Sequence, residues 1–258
     1  MSYALVTGAS KGIGKSIATE LAKKGYNLLL TARSEDLLKE VCNSLQATHG
    51  IACSYLAIDF ATPNAARQLG DWIVSNNFQL EILVNNAGYG LSGNLEAHSL
   101  EEYIAMMKVN MEVPVSLCRF LLPLLQKQPK SYILNIASSA AYQSVPGLNV
   151  YAATKAFILS FSRGLRQELK NKNVVVSCIC PGATDTNFVN QAEMGEKARK
   201  LADKVNMKAE DVASIAVKGL FKGKAEMIPG FINKLGVLLT WLLPKSILEN
   251  GAMRIYEP

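Results

Sequence analysis

A tyrosine and a lysine stand four residues apart in the segment Tyr151-Ala-Ala-Thr-Lys155, at the start of a stretch predicted as a helix. Side chains at positions i and i+4 share one helix face, so the phenol and the ammonium can point into the same space. A free tyrosine has a pKa near ~10, too high for a base at neutral pH, but a nearby ammonium favours the phenolate. The pair is therefore a candidate acid and base for moving a proton.

A glycine cluster follows the first apolar run and reads Thr7-Gly8-Ala9-Ser10-Lys11-Gly12-Ile13-Gly14. It lies between a predicted strand and a predicted helix, which is the setting that a dinucleotide loop requires. Glycines permit a tight turn and close backbone approach, and the helix N-terminus offers free N–H groups to a pyrophosphate. We expect a nucleotide here, with an ordinary glycine-rich turn as the alternative.

Short apolar runs alternate with longer amphipathic stretches along the chain. Strands are predicted at 4–7, 27–31, 52–58, 81–85, 132–136, 174–180 and 225–228, and helices near 12–24, 35–48, 62–76, 99–127, 150–171 and 208–221. Strands that are apolar throughout are covered on both faces, and repeated β-α alternation implies right-handed crossovers in a parallel sheet. The expected fold is α/β, a single-domain Rossmann fold over 1–258, with a doubly wound parallel sheet of about seven strands and helices on both faces.

Several segments resemble the short-chain dehydrogenases/reductases (SDRs), in the order found in that family, over roughly residues 3–188. The glycine spacing is Gly-x3-Gly-x-Gly, and Asn85-Asn86-Ala87-Gly88 matches the Asn-Asn-Ala-Gly signature of the family. Asp59 corresponds to the adenine-contacting aspartate, and Pro181-Gly182 with Thr186 to the segment that holds the nicotinamide carboxamide. The resemblance implies a dinucleotide site formed by Gly8, Ser10, Lys11, Gly12, Ile13, Gly14, Arg33, Asp59, Asn86, Ala87, Gly88, Tyr151, Lys155, Pro181, Gly182, Thr184 and Thr186.

The end of the second predicted strand indicates which dinucleotide is bound. An acidic residue there would accept hydrogen bonds from the 2′-hydroxyl of NAD and repel a 2′-phosphate. This chain has Ala32 in that place, followed by Arg33, and Lys11 lies within the glycine loop. Two cations suit a phosphate dianion, so we expect NADP(H); the alternative is that both are solvated surface charges.

The resemblance also implies a four-residue catalytic set. Ser138 lies thirteen residues before Tyr151, the family's serine-to-tyrosine spacing, which favours it over Ser139, and Asn110 matches the family's asparagine. Ser138 would donate a hydrogen bond where negative charge grows on the substrate oxygen, and Tyr151 would exchange the proton. Lys155 would favour the phenolate and hold the nicotinamide ribose, and Asn110 would anchor a water for proton relay.

The expected activity is that of an NADP-dependent short-chain oxidoreductase acting on CH–OH donors, which interconverts a carbonyl and a secondary alcohol on a small apolar substrate. The chain looks like a branch close to carbonyl reductases and hydroxysteroid-type dehydrogenases. Candidates to line the pocket are Tyr89, Tyr142, Leu148 and Phe188, with core packing as the alternative. The other functional class is a silent NADP-binding sensor, which tends to lose the tyrosine or lysine present here.

Two stretches interrupt the alternation. Residues 187–206 are polar and helix-prone, and we expect a substrate lid there. The apolar extension 230–258 is expected to pack on the pocket mouth or a partner subunit rather than on lipid. A homodimer or homotetramer is typical of the family, often through helices corresponding to 110–127 and 150–171.

The remaining composition narrows the class of protein. Net charge is +6, but the basic residues are scattered without interleaved aromatics, so no nucleic-acid partner is expected. No window approaches the roughly 20 apolar residues that span a bilayer. The cysteines, an odd number without framework spacing, are predicted to be buried free thiols with no metal site, which suits a reducing cytoplasm: Cys42, Cys53, Cys118, Cys178 and Cys180.

Overall fold

The computed structural model describes residues 2–185 and 206–256. The strands in these ranges are β1 (Tyr3–Thr7), β2 (Asn27–Ala32), β3 (Cys53–Ala57), β4 (Leu80–Asn85), β5 (Ser131–Ile136), β6 (Val174–Ile179), β7 (Thr184–Asp185), β8 (Met207–Lys208) and β9 (Glu226–Met227). The helices are α1 (Gly12–Ala22), α2 (Glu35–His49), α3 (Ala65–Ser75), α4 (Leu100–Met107), α5 (Val113–Leu125), α6 (Asn149–Glu168), α7 (Ala209–Phe221), α8 (Phe231–Leu242) and α9 (Lys245–Tyr256).

The main sheet has seven strands in the order β3-β2-β1-β4-β5-β6-β9, and every neighbouring pair is parallel. The predicted doubly wound sheet is therefore confirmed. Its strand order reverses between β1 and β4, whose carboxyl ends consequently flank a crevice where ligands of such sheets bind. A second, two-stranded sheet pairs β7 with β8.

Helices cover both faces of the main sheet. Residues of α1, α2 and α7 form one apolar core with β1, β2 and β4, in which Ile17, Leu38 and Val212 are buried. Residues of α3 and α5 form the other, in which Leu69 and Leu117 are buried. Because both faces are apolar and covered, the strands read as continuous apolar runs rather than alternating ones.

The helix predicted over 99–127 is interrupted. Between α4 and α5 the chain makes a π-helical segment, Lys108–Glu112, and Pro114 stands in the first turn of α5. Proline has no N–H, so Pro114 cannot donate an α-helical bond to the carbonyl of Asn110, four residues back. A π-helical turn of this kind re-aims side chains and is frequent at functional sites.

Two of the five cysteines are not free. Cys42 of α2 and Cys53 of β3 form a disulfide with a Cα–Cα separation of 5.4 Å, so the prediction of free thiols is wrong for this pair. The cause is tertiary: α2 packs against β3, the strand that follows it, and brings the two sulfurs together. Cys118, Cys178 and Cys180 are free and buried, as predicted.

Two further predictions concern the substrate lid and membrane-spanning segments. The lid proposed at 187–206 lies outside the described residues except for Asn206. In residues 2–185 and 206–256, no helix has the length and apolar character needed to cross a membrane.

Candidate active site

The glycine loop joins β1 to α1 through backbone that needs glycine. Gly8 and Gly12 have positive φ angles of 66° and 54°. A Cβ added to Gly14 would lie 2.3 Å from the carbonyl oxygen of Gly8 and 2.4 Å from Nδ2 of Asn86. The loop and the start of the helix are therefore packed too closely for any side chain at position 14, as the predicted nucleotide loop requires.

Thr7 fastens this loop to the end of β4. Its Oγ1 accepts hydrogen bonds from the backbone N–H groups of Asn86 and Ala87, each at 2.9 Å. The Asn86 side chain donates in return to the carbonyls of Thr7 at 2.8 Å and Gly8 at 3.1 Å. The segments after β1 and β4 are thus hydrogen-bonded to each other, and the Asn86 side-chain amide donates to backbone carbonyls of the glycine loop and the residue before it.

The start of α1 has the chemistry that a pyrophosphate needs. Lys11 occupies the N-cap in an extended conformation, and no described side chain caps the helix there. The first N–H groups of a helix lack internal partners and carry a partial positive charge, which favours an anion. A depression beside them is lined by Ser10, Lys11, Gly12, Lys15 and, from α2, Leu37, Glu40 and Val41. Lys15 is a second cation there that the sequence analysis did not include.

Arg33 and Asp59 follow β2 and β3 at the same edge of the sheet. Both side chains are exposed. Oδ1 of Asp59 accepts a hydrogen bond from the N–H of Ala61 at 2.9 Å, which fixes the carboxylate. Burial raises the pKa of the Tyr89 phenol, and the charge of Arg33 opposes that effect.

Asn110 is held in the π-helical segment by three hydrogen bonds. Its Nδ2 donates to the carbonyl of Tyr89 at 2.9 Å and to Oγ1 of Thr154 at 3.0 Å, and its Oδ1 accepts from the N–H of Tyr89 at 3.1 Å. The side chain is buried. It therefore ties the segment after β4 to α6, with both amide N–H groups and the amide oxygen engaged.

Tyr151 and Lys155 lie together near the start of α6, with 8% and 6% of their surfaces exposed. The ammonium of Lys155 lies 5.7 Å from the centre of the Tyr151 ring and donates to the carbonyl of Ile136 at 3.0 Å. Burial lowers the pKa of Lys155 to about 8, with Cys178 and Cys180 opposing the shift. The expected pairing of phenol and ammonium on one helix face is therefore present in the fold.

Gly88, in the segment after β4, lies against the side chains of Asn110 and Lys155. A Cβ added to Gly88 would lie 2.9 Å from Oδ1 of Asn110 and 3.3 Å from Nζ of Lys155. The Asn-Asn-Ala-Gly segment thus runs directly past both side chains. The structure brings Asn110, Lys155 and Tyr151 to the carboxyl edge of the sheet beside the glycine loop.

Ser138 follows β5 at the same edge. Its half-buried hydroxyl caps the 3-10 turn Ser139–Tyr142 by accepting from the N–H of Ala140 at 3.1 Å, and it lies 3.5 Å from the carbonyl of Pro181. The N–H of Ser139 donates to the same carbonyl at 2.8 Å. The serine segment is therefore bonded to the Pro181-Gly182 segment.

The segment after β6 is held from its other side by α8. A Cβ on Gly182 would lie 2.2 Å from Oδ1 of Asn233, so that side chain occupies the space beside the glycine. Oγ1 of Thr184 donates to the carbonyl of Gly182 at 3.1 Å. Thr186, the last residue predicted for this segment, lies outside the described residues.

The candidate pocket residues fall into different places. The Tyr142 hydroxyl is bonded to Glu226, whose carboxylate also pairs with Arg163 at 2.6 Å, and burial raises the pKa of the phenol. Leu148 is buried in a cluster with Tyr151, and Tyr89 packs on that cluster, which fits the core alternative for Leu148. Phe188 lies outside the described residues. Within the described ranges, no group of three or more His, Cys, Asp or Glu side chains could hold a metal ion.

Comparison with known proteins identifies relatives of this chain. Residues 2–197 match the family model of the short chain dehydrogenases. A very-long-chain 3-oxoacyl-CoA reductase of Danio rerio is 31% identical over 257 residues, covering 98% of this chain and 77% of that protein. A ketoacyl reductase of Nostoc is 32% identical over 231 residues, covering 87% of this chain and 77% of that protein.

Solved structures agree with the sequence relatives. A short-chain dehydrogenase from Sphingobium yanoikuyae, solved with NADPH, superposes with a TM-score of 0.83 at 25% identity, covering 98% of this chain and 95% of that one. A Burkholderia phymatum enzyme solved with NAD has the same TM-score of 0.83 at 23% identity, covering 92% of each chain, and shows the shared fold. The chain, with its glycine loop, Asn-Asn-Ala-Gly segment and Tyr-Lys pair, belongs to the short-chain dehydrogenase family of oxidoreductases.

Proposed function

We propose that the protein is an NADP(H)-dependent enzyme that interconverts a carbonyl and a secondary alcohol, with Tyr151 as the acid and base. The observation that carries the proposal is the buried ammonium of Lys155, 5.7 Å from the Tyr151 ring. An ammonium in low-dielectric surroundings favours the ionised form of a neighbouring phenol. Burying a charge costs free energy. Stability alone therefore does not explain a buried ammonium beside a phenol at the edge of the sheet where ligands bind.

Each residue of the proposed catalytic set has its own role in the reaction. Bound nicotinamide supplies or accepts the hydride. In reduction, Tyr151 gives its proton to the oxygen of the substrate, and in oxidation it takes that proton back. Ser138 donates a hydrogen bond to the same oxygen, where negative charge grows. Lys155 stabilises the phenolate left on Tyr151 and binds the ribose hydroxyls of the nicotinamide.

The remaining predicted residues bind the cofactor or position the site. The free N–H groups at the start of α1 suit the pyrophosphate, since no described side chain competes for them. By the family resemblance, Asp59 would contact the adenine end of the cofactor and the Pro181-Gly182 segment the nicotinamide end. Asn110 acts by holding the Tyr89 backbone and Thr154, and through them the approach to Lys155.

The substrate proposed is an apolar carbonyl compound, with 3-oxoacyl thioesters as the first class to test. The support comes from relatives named for 3-oxoacyl-CoA and ketoacyl reduction. Aldehydes, ketones and keto-steroids complete the panel.

Replacing Tyr151 with phenylalanine tests the assignment. Tyr151→Phe should lower kcat by about 10³-fold or more, because the proton donor is lost, and leave the Kd of NADPH nearly unchanged. Tyr103→Phe is the matched control, since its hydroxyl belongs to the same cluster and bonds only the carbonyl of Asn94 among the described partners. It should keep near wild-type turnover.

Two results would contradict the proposal. A Tyr151→Phe enzyme that kept more than a tenth of wild-type kcat would remove Tyr151 from the reaction. A wild-type protein that bound NADPH and turned over nothing on the panel would instead indicate a silent nucleotide sensor. NADPH consumption and NADPH fluorescence titration give the two readouts.

A further inference from the structure

Helix α8 turns a narrow face of mixed polarity to the protein and most of its large apolar side chains to the surroundings. Asn233, Val237 and Thr240 share one face, which is turned inward, and Val237 is the buried residue of this helix. Asn233 packs against Gly182 and donates to the carbonyl of Pro229 at 2.8 Å. A helix that covers a protein core has the opposite arrangement, with apolar residues inward.

The outer face of α8 is formed by large apolar side chains. Phe231 is 80% exposed and Trp241 is 71% exposed. The full set comprises Phe231, Ile232, Leu235, Leu238, Leu239, Trp241, Leu242 and Leu243. At about 200 Å² for each fully exposed large side chain, these residues leave on the order of 900 Å² of apolar surface uncovered. The largest apolar patch of a typical monomer is only about 300–600 Å², so this face marks an interaction surface.

The charges around the outer face of α8 are all positive over a long stretch. The chain carries no Asp or Glu between Glu226 and Glu249, and it carries Lys234 and Lys245 there. Both lysines are exposed, at the first turn of α8 and just after its end. An apolar face containing Trp and Leu and flanked by lysines is the pattern of a helix that lies in a lipid headgroup layer.

The same charges disfavour a second copy of the chain as the occupant. In a two-fold contact the same patch meets itself, so Lys234 and Lys245 would face a surface that offers no carboxylate from 227–248 to pair with them. An anionic lipid surface would instead pair both ammonium groups while the apolar side chains enter the acyl region.

We propose that the outer face of α8 docks the protein on an anionic lipid surface as a peripheral helix. This replaces the expectation that the extension packs on the pocket mouth or on a partner subunit. The proposal is independent of the reductase activity. It also places the site near the lipid, because α8 packs on the turn Ser139–Tyr142 and on Gly182 at the carboxyl edge of the sheet.

Flotation of the purified full chain with vesicles tests the docking. We expect wild type to float with vesicles of phosphatidylcholine mixed with phosphatidylglycerol, and binding to weaken with salt and with phosphatidylcholine alone. Leu238→Ser with Trp241→Ser should lower the partition at least ~10-fold, since two inserted side chains are lost. The matched control, Val74→Ser with Leu100→Ser, removes two similarly exposed side chains on α3 and α4 and should bind as wild type.

A charge-reversal pair tests the electrostatic part. Lys234→Glu with Lys245→Glu should abolish the preference for phosphatidylglycerol. Lys127→Glu with Lys170→Glu, two exposed lysines before β5 and β6 at the opposite edge of the sheet, should keep it. If the two pairs behaved alike, the effect would follow net charge alone and the docking face would be wrong.

Tryptophan fluorescence reports on the face directly. The chain has two tryptophans, so Trp72→Phe leaves Trp241 as the one emitter. Its emission should shift to the blue when mixed vesicles are added. The proposal is overturned if wild type floats with neither vesicle, or if the Trp241 emission does not move. It is equally overturned if wild type is a dimer that Leu238→Ser with Trp241→Ser converts to a monomer without lipid, because the occupant would then be a second copy.

Discussion

At the scale of single residues, the proposed chemistry depends on a buried charge, the Lys155 ammonium, whose burial costs folding free energy. Lys155 is 6% exposed and bonded to the carbonyl of Ile136. Burial lowers its pKa to about 8, which means that the folded protein holds the ammonium against a free-energy cost. Such a cost is expected where a buried cation serves a reaction rather than the fold.

Replacing this lysine should therefore stabilise the protein while removing its activity. Lys155→Met keeps the apolar stem and should raise the free energy of unfolding at pH 7 by about 1–3 kcal/mol, since the desolvated charge is gone. Urea unfolding at fixed protein concentration measures the difference. Lys170→Met, at an exposed position, should change it little. A Lys155→Met protein less stable than wild type at pH 7 would mean that the ammonium contributes net stability.

The pH dependence of that difference has a definite sign. The folded pKa of Lys155, about 8, lies below the model-compound value of 10.5. Below pH 8 the lysine is charged in both states and the cost is fully present. Between the two values the unfolded chain still holds the proton that the folded chain has released, so wild type gains stability as pH rises. The gap between wild type and Lys155→Met should therefore close from pH 8 towards pH 10.5.

Arg33 should decide which dinucleotide is used. It follows Ala32 at the end of β2 and is exposed. Arg33→Asp should lower kcat/KM for NADPH by about 10²-fold and spare NADH, because a carboxylate repels the 2′-phosphate and accepts from a 2′-hydroxyl. Arg67→Asp, an exposed change on α3, is the control. A wild-type preference for NADH would contradict the NADP assignment.

Residue types and spacing indicated candidate catalytic residues, but they did not indicate the residues that hold those candidates in place. Tyr151, Lys155, Asn110 and Ser138 could be selected because their spacing along the chain matches a known family pattern. Asn233 could not, because its position against Gly182 depends on how α8 crosses a segment about 50 residues earlier. Thr7 offered only a weak signal, a hydroxyl residue at a strand end just before the glycines.

At the scale of elements, the seven strands of the main sheet were predicted within one or two residues, since apolar runs bounded by turns are a strong local signal. The two-residue strands β7 and β8 were not predicted. The helix over 99–127 was predicted as continuous, because the π-helical turn at Lys108–Glu112 leaves the apolar period nearly intact. Helices α8 and α9 were not predicted. Their apolar residues are mostly exposed, so the pattern that identifies a core-facing helix is absent there.

The junction of β1 and α1 allows a direct test of how an element positions the site. Gly14→Ala should weaken NADPH binding and cost about 1–3 kcal/mol of stability, because the new methyl group meets backbone that cannot move without opening the loop. Gly164→Ala is the matched change within α6, where a Cβ meets nothing within 4 Å in the described part of the chain. It should raise stability by about 0.5–1 kcal/mol and leave binding unchanged. NADPH titration and urea unfolding measure both, and a Gly14→Ala protein with wild-type affinity would contradict the tight packing.

At the scale of the whole molecule, two helices on the same face of the sheet leave aromatic side chains outside. Phe120 of α5 is 43% exposed, and Phe157 of α6 is 41% exposed and stacks on Phe161. Exposed apolar side chains on neighbouring helices can form a two-fold contact between two subunits. Since α6 also carries Tyr151 and Lys155, a contact through its outer side would brace the helix that holds the site.

We therefore expect a homo-oligomer through α5 and α6, and the prediction can be separated from any role of α8. In light scattering, wild type should show a multiple of its 28.0 kDa mass, and Phe157→Glu should shift towards the monomer, because two-fold symmetry sets the new carboxylates against each other. Ile215→Glu changes a similarly exposed side chain on α7, across the sheet, and should keep the wild-type mass. The Phe157→Glu monomer should also lose turnover per protomer while keeping NADPH affinity, since α1 and its glycine loop lie on the other face. A wild-type mass of one chain would remove this interface, and it would leave α6 to be ordered by its own packing on β5 and β6.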